Sequence, residues 1–336
     1  MKKLKSSQPF ANGTAAEREA EINVLVTSIS KKVPLLKSIR KALGKFGGNS
    51  RLFGADLDPE CIGSHFVDVF WQMPRTNELK AETLIDYCRS NGIRAIIPTR
   101  DGELPVFAGL ADRLRDEGIH VMVSSREAVE ACVDKLLFAR RLGELGIPAI
   151  PTTERIEALD APAYAVKERY GAGSRRIGLG LSRDDAVRHA LTMEFPVFQP
   201  YIKGREYSVD LYRGMDGRTK GAIARTRDRV VDGESQVTTT VTAPELEALG
   251  ARVADALDLY GHAVLQVLVD EDGGHHVIEC NCRVGGASRL AFEAGLDSLY
   301  WFLLEASGQS IDQYPFVRSE CEKRLVRYAE DLIKCL

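Results

Sequence analysis

Glu279, Asn281 and Arg283 stand at alternate positions of the run Glu-Cys-Asn-Cys-Arg. In a β-strand that spacing puts all three on one face. Mg2+ takes oxygen ligands, commonly one or two carboxylates completed by substrate phosphates, and an arginine beside it suits a phosphate or a carboxylate. An apolar run from His262 to Val269 precedes them, and Asp272-Gly273-Gly274 between the two runs signals a hairpin. A turn centred between Asp272 and Gly273 sets Gln266 opposite Glu279 and Val264 opposite Asn281, which brings a second amide to the group. Taken alone, the same alternation also describes a surface hairpin whose polar face is merely solvated.

Other stretches carry charge at ends and turns. Lys167 closes the short run Tyr-Ala-Val-Lys, and Gly171 to Ile177 (Gly-Ala-Gly-Ser-Arg-Arg-Ile) follows it. Glycines let backbone N–H groups approach phosphate, and Lys167, Arg175 and Arg176 add positive charge. No Gly-Lys-Ser/Thr closes the loop, so it is not a Walker loop; a plain hairpin turn fits it locally as well. In Pro98-Thr99-Arg100-Asp101-Gly102-Glu103, hydroxyl and charged groups could read a small polar substrate, or Asp101 and Glu103 could cap the next helix. Arg225, Arg227 and Arg229 alternate along Gly221 to Val231, read as one long strand. They could hold phosphates or a carboxylate, or form a solvated strand edge. Cys280 and Cys282 face away from the ligand set, toward the core. With His276 on their side a zinc site is conceivable, and inert core thiols are the plainer reading.

The elements that would position these groups follow from apolar periodicity. Ile22 to Ser28 is a buried parallel-type strand, and Thr27 and Ser28 lie at its end. A helix over Pro34 to Phe46, a strand Arg51 to Asp56, a helix Glu78 to Ser90, a strand Ala95 to Pro98, a helix Glu103 to Glu117 and a strand His120 to Val123 follow. This alternation predicts a doubly wound parallel sheet with ligands at the strand C-termini. The first loop, Thr27-Ser28-Ile29-Ser30, lacks Gly-x-Gly-x-x-Gly, which argues against dinucleotide binding. Paired helices over Ser125 to Cys132 and Asp134 to Leu145 come next. A strand–loop–strand–helix block from about Glu154 to Glu194 reads as a small lid. Glu206, Ser208 and Asp210 share a strand face beyond it, before a long antiparallel region and a helix Pro244 to Leu259. The tail from Asp312 adds an edge strand near Arg324 to Tyr328. The expected divisions are a flexible N-terminus at 1–20, a parallel α/β domain at 21–124, a linker and lid at 125–195 and an antiparallel α+β subdomain at 196–336.

Composition bounds the function. A net charge of −3 and a pI near 6.1 argue against nucleic acid or an anionic membrane as the main partner, and the longest apolar runs fall short of a membrane span. Seven scattered cysteines fit a reducing, cytoplasmic setting.

In order along the chain, Asp134-Lys135, Ala165-Val166-Lys167, the Gly171 to Ile177 loop, Gln199-Pro200-Tyr201-Ile202, Glu206 with Asp210, Gln266, and Glu279-x-Asn281-x-Arg283 resemble the ATP-grasp superfamily. The likeness is greatest to relatives of the carbamoyl-phosphate synthase large subunit and runs from about Glu21 to Gly308. It implies a parallel pre-ATP-grasp domain followed by two α+β subdomains that clamp ATP. Lys135 and Lys167 would hold phosphates, Gly171, Gly173, Ser174 and Arg175 would close over them, and Gln199, Tyr201 and Ile202 would meet adenine. Glu206, with Asp210 on the same strand face, would accept from the ribose. Gln266, Glu279 and Asn281 would bind Mg2+ (or Mn2+), and Arg283, with Lys167 and Asn281, would serve the reacting centre. A small carboxylate, amino-acid-like, would meet Thr27, Ser28, Thr99, Arg100, Asp101 and Arg225. The implied reaction activates it as an acyl phosphate, which an amine converts to an amide with release of ADP and phosphate. Phosphorylation of bicarbonate or carbamate with a partner, and a non-catalytic nucleotide-binding module, are the alternatives. A homodimer is expected by analogy. Pro200 removes one N–H from the adenine segment.

Overall fold

A computed structural model describes residues 21–171, 173 and 176–334. The first unit comprises β1 (Asn23–Thr27), α1 (Val33–Phe46), β2 (Leu52–Asp56), β3 (Val69–Gln72), α2 (Ala81–Ser90), β4 (Ile93–Ile97), α3 (Leu104–Asp116) and β5 (His120–Val121). Its strands are parallel in the order β3-β2-β1-β4-β5. The order reverses between β1 and β4, so the crevice for a ligand opens at Ser28 and Thr99. Strand β3 was not foreseen: Val-Phe-Trp-Gln is half-exposed on an edge, too short for its apolar pattern to register.

Helices α4 (Arg126–Val133) and α5 (Lys135–Glu144) lead to β6 (Tyr164–Glu168), β7 (Gly178–Leu181), α6 (Arg183–Ala190) and β8 (Pro196–Pro200). Strands β7, β6 and β8 form a small antiparallel sheet with a core of its own around Tyr164, Val166 and Phe198. The boundary expected at 195/196 is therefore corrected to the far side of β8, which pairs with β6.

The large sheet is built from β9 (Gly204–Arg213), β10 (Thr219–Thr226), β11 (Arg229–Val231) and β12 (Glu234–Val241). After α7 (Pro244–Ala256), β13 (Gly261–Asp270) and β14 (His275–Asn281) complete its main path. Then come α8 (Arg289–Glu293), α9 (Ser298–Ala306) and β15 (Arg324–Val326). The order is β11-β12-β10-β9-β13-β14, with β15 added beside β12. The single strand expected over 221–231 is broken at Arg227-Asp228, where Asp228 N donates to Val237 O and Arg227 N to Glu206 O. Helix α9 is buried at every position, as a helix apolar on all sides must be. It shares one core with α1 and β1, so the parallel unit and the large sheet pack as one body.

Candidate functional site

The hairpin β13–β14 supplies the ligand face. Gln266 pairs with Glu279 and Val264 with Asn281, as the sequence predicted. The turn that produces this register is different. Gly273 N donates to Asp270 O and Asp270 N to Gly274 O, with Gly273 at φ +83°, a longer loop with its glycine in the left-handed region. A bulge at Ile278 then takes up one residue between the Val267–Val277 and Gln266–Glu279 pairs. The bulge also moves His276 off the side of the cysteines, where its Nε2 lies 2.6 Å from Asp270 Oδ2. Cys280 and Cys282 are buried, and no cluster fit to hold zinc occurs among the described residues.

Asn281 Nδ2 donates to Glu279 Oε1 at 3.3 Å, and Arg283 Nη2 donates to Asn281 Oδ1 at 3.1 Å. Glu279 has no ion pair within 4.0 Å among the described residues. Its nearest charge relationships are longer: it acts electrostatically on Lys167 and Glu206. One carboxylate and two amides on one sheet face form an all-oxygen donor set suited to a hard divalent ion.

Two lysines approach this face from different elements. Asp134 caps α5, accepting from the N–H groups of Leu136 and Leu137, and Arg169 clamps its carboxylate at 2.6 and 2.8 Å. This buttress places Lys135 in the first turn, where its Nζ donates to Gly171 O at 2.7 Å. Lys167 lies on β6. Burial lowers its pKa, Glu279 and Glu206 counter that, and Lys135 adds to it. The two ammonium groups are thus near enough to repel, and Lys135 lines the cleft. Gly171 and Gly173 line it too; Ser174 and Arg175 lie outside the described residues.

In the adenine segment, Tyr201 N donates to Ala163 O at 2.8 Å, and Pro200 has no N–H. Ile202 N has no backbone partner among the described residues, which leaves it open to a base edge. The Gln199 side chain is buried and donates to Thr152 Oγ1. Glu206 Oε1 lies 2.8 Å from Arg227 Nε, and burial, ahead of its charged neighbours, raises its pKa.

Two expectations are corrected. Asp210 does not reach a nucleotide: it is fully buried, sealed by Arg225 (Nε to Oδ2, 2.7 Å), Ser288 and His262. Arg225 is not on a wet face: it is 2 % exposed, closed in by Asp210 and by Thr238, whose Oγ1 accepts from Nη1 at 3.5 Å. Its other side still lines the cleft. Asp210 therefore supports Arg225 from behind, and Ser288, bound to the same carboxylate, also accepts from Gly285 N at 2.9 Å.

At the switch point, Ser28 takes a left-handed φ of +54°, a strained conformation for this residue type. Glu103 holds the corner: it accepts from Thr99 N, Arg100 N and Ser28 Oγ, so its capping role is the one observed. Thr27 and Thr99 are buried, and the Thr99 hydroxyl donates to Thr27 O. Ser28, Thr99, Arg100 and Asp101 line the cleft, and Arg283 Nη2 donates to Asp101 Oδ2 at 2.7 Å. The cleft has a volume of about 1530 Å³, beyond the several hundred Å³ of a single small-ligand pocket. Among the lining residues that sequence reasoning missed are Lys32, Glu234 and Arg327. Of these only Lys32, just past the end of the first strand, had a positional signal.

Residues 193–329 match the family model described as ATP-grasp in the biosynthetic pathway with Ter operon, and residues 24–122 match that of the PylC-like N-terminal domain. The carbamoyl phosphate synthase large chain of Pyrococcus furiosus is 23% identical over 221 residues, 58% of this chain and 21% of that one. The phosphoribosylamine–glycine ligase of Leifsonia xyli subsp. xyli is 28% identical over 176 residues, 48% of this chain and 41% of that one. The chain thus spans less than half the length of these relatives. Among solved structures, the biotin carboxylase domain dimer of Hydrogenobacter thermophilus 2-oxoglutarate carboxylase, in complex with MgADP, ADP and bicarbonate, superposes with a TM-score of 0.73 at 17% identity. That match covers 90% of this chain and 73% of that one. N5-carboxyaminoimidazole synthetase from Staphylococcus aureus, complexed with ADP, gives a TM-score of 0.68 at 15% identity over 87% of this chain and 79% of that one. At these identities the likeness establishes the fold: a parallel α/β unit leading into an ATP-grasp pair of subdomains.

Proposed function

From the ATP-grasp domain that this chain carries behind a PylC-like N-terminal domain, we infer an ATP-dependent carboxylate–amine ligase. The observation that carries the reading is convergence. Gln266, Glu279 and Asn281 share one sheet face, and Lys167 on β6 lies within electrostatic reach of both Glu279 and Lys135, which starts α5. Phosphoryl transfer to a carboxylate gathers negative charge, and cations in a water-poor site are what stabilise it.

Glu279, with Gln266 and Asn281, would hold Mg2+ or Mn2+, which neutralises phosphate charge when bound. Lys135 and Lys167 bind the phosphates as mobile point charges and follow the migrating group. Ile202 N–H meets adenine. Glu206 takes the ribose through Oε2, which has no partner among the described residues. Arg283 orients the acid's carboxyl group, and the glycine loop excludes water from the acyl phosphate until an amine displaces the phosphate. The Arg283–Asp101 pair suits an amino-acid-like acid, with carboxylate toward Arg283 and ammonium toward Asp101.

ADP release over a panel of small acids and amines, with ATP and Mg2+, tests the reading. Glu279→Ala should abolish acid-dependent release with an unchanged circular dichroism spectrum; unchanged turnover would falsify the assignment. The bicarbonate held by the Hydrogenobacter thermophilus biotin carboxylase domain favours a second reading, phosphorylation of bicarbonate. Release with bicarbonate alone, and none with organic acids, selects it.

A further inference from the structure

Beyond Arg283, the substrate end of the cleft holds cationic donors that no protein group satisfies. Lys32, at the N-terminus of α1, lines the cleft, and its ammonium makes no hydrogen bond or ion pair among the described residues. Its electrostatic neighbours are Arg283, Glu234, Asp101 and Glu103, so it sits where the parallel unit faces the large sheet. Arg327 arrives from the C-terminal side. The pairing of β15 with β12 carries it in, its Nε donates to Ser235 O at 3.0 Å, and Nη1 lies 3.2 Å from Glu234 Oε2. Its Nη2 is buried without an acceptor, as is Nε of Arg283. A Cβ on Gly286 would stand 2.9 Å from that same Nη2, so the tail arginine lies directly over the Gly285-Gly286 loop.

Leaving a buried charged donor unpaired is unfavourable, more so than for a neutral one. Two such donors, Arg283 Nε and Arg327 Nη2, together with the unpaired ammonium of Lys32 along one cleft, call for a ligand rich in negatively charged oxygens. In the ligase reading, Arg283 is engaged with the carboxyl group that reacts. Lys32 and Arg327 then remain for something else.

We propose that Lys32 and Arg327 form a subsite for a second anionic group on the acid substrate, a carboxylate or a phosphate. The substrate class is then a dicarboxylic or phosphorylated acid. Glu234 competes for Arg327 when the subsite is empty. The inference rests on the ligase reading for its placing of the reacting carboxyl, and adds that the C-terminal tail sets acid specificity.

The test uses matched probes that differ by charge: L-glutamate against L-glutamine, and O-phospho-L-serine against L-serine. Each is titrated calorimetrically into the full chain with ADP and Mg2+. At least one charged member should bind tenfold or more tighter than its neutral partner, and the pair that shows it tells carboxylate from phosphate. Lys32→Gln and Arg327→Gln should each erase that preference with ADP affinity unchanged. Glu234→Gln frees Arg327 and should strengthen binding of the charged probe, which a purely structural Glu234–Arg327 bridge would not do. Equal binding of charged and neutral probes, no binding of either charged probe, or a preference untouched by both variants overturns the subsite. ADP release is read in the same samples: a charged acid that binds without release counts against the ligase reading and leaves the subsite standing.

Discussion

Arg283 at the end of β14 donates through Nη2 to Oδ2 of Asp101, 182 positions earlier in the chain, at 2.7 Å. The pair joins the two halves of the cleft at the point where β4 ends. Arg283 also donates to Asn281 Oδ1 and Val284 O, so its guanidinium is held in plane and in place before any substrate arrives.

That fixed fork should matter to turnover. Arg283→Lys keeps the charge and loses the planar geometry. We expect kcat to fall by about 10²–10³, the range for removing one preorganised donor. ADP affinity should stay within twofold. Steady-state ADP release and calorimetric ADP binding check the two halves separately.

Lys167 is costly in the empty protein. Burial lowers its pKa, and Lys135 pushes the same way. Lys167→Met should leave the melting temperature of the ligand-free protein unchanged or raise it by a few degrees, since the charged form is disfavoured there. The stabilisation that MgADP adds to the wild type should be largely lost. Thermal melts with and without MgADP report both.

Asp210 makes stability depend on acid. Burial opposes its ionisation, but Arg225, His262 and Ser288 overcome that and hold its pKa well below the usual carboxylate value. Its folded pKa therefore lies below its unfolded value of about 3.9. The stabilisation is complete above that unfolded value and erodes as pH falls toward the folded one. Asp210→Asn should lower unfolding free energy near neutrality by about 3–5 kcal/mol, the scale for breaking a buried pair. It should also flatten the dependence below pH ~4. Urea titrations of both proteins across the acid range measure this.

Ile202 offers a backbone test. Ile202→Pro removes the N–H assigned to adenine, and a lost hydrogen bond of about 1–1.5 kcal/mol corresponds to roughly a tenfold weaker ADP affinity. Ile202→Val keeps the donor and should bind as the wild type does. Equal affinities for the two variants would move the adenine contact elsewhere.

Much of this site was legible because strands have a period of two. Once the hairpin was recognised, Gln266, Glu279 and Asn281 had to share a face, and ordered motifs supplied their partners. The route to that register was misread: the loop is longer than a two-residue turn, and the bulge at Ile278 restores the pairing. Arg225 and Asp210 were misjudged for a different reason. Alternation tells which residues share a face and is silent on whether another layer covers it. Here His262 and Ser288 close over Asp210 from β13 and the segment ahead of α8. That Lys32 and Arg327 line one cleft was beyond reach, because it depends on packing between elements nearly the whole chain apart. The buttress of Asp134 by Arg169 was hidden likewise, although a capping aspartate before α5 was visible.

The bulge at Ile278 has a consequence for ion choice. Were the hairpin to zip from the same loop without it, every pair beyond Val267–Val277 would slip by one, and Gln266 would meet Ile278. Glu279 and Asn281 would then turn inward, and the sulfurs of Cys280 and Cys282 would be offered to the nucleotide instead. In the ligase reading, the all-oxygen ligand face thus hangs on a single looped-out residue, and lengthening or shortening the Asp270–Gly274 loop is the change most apt to replace it with a thiophilic one.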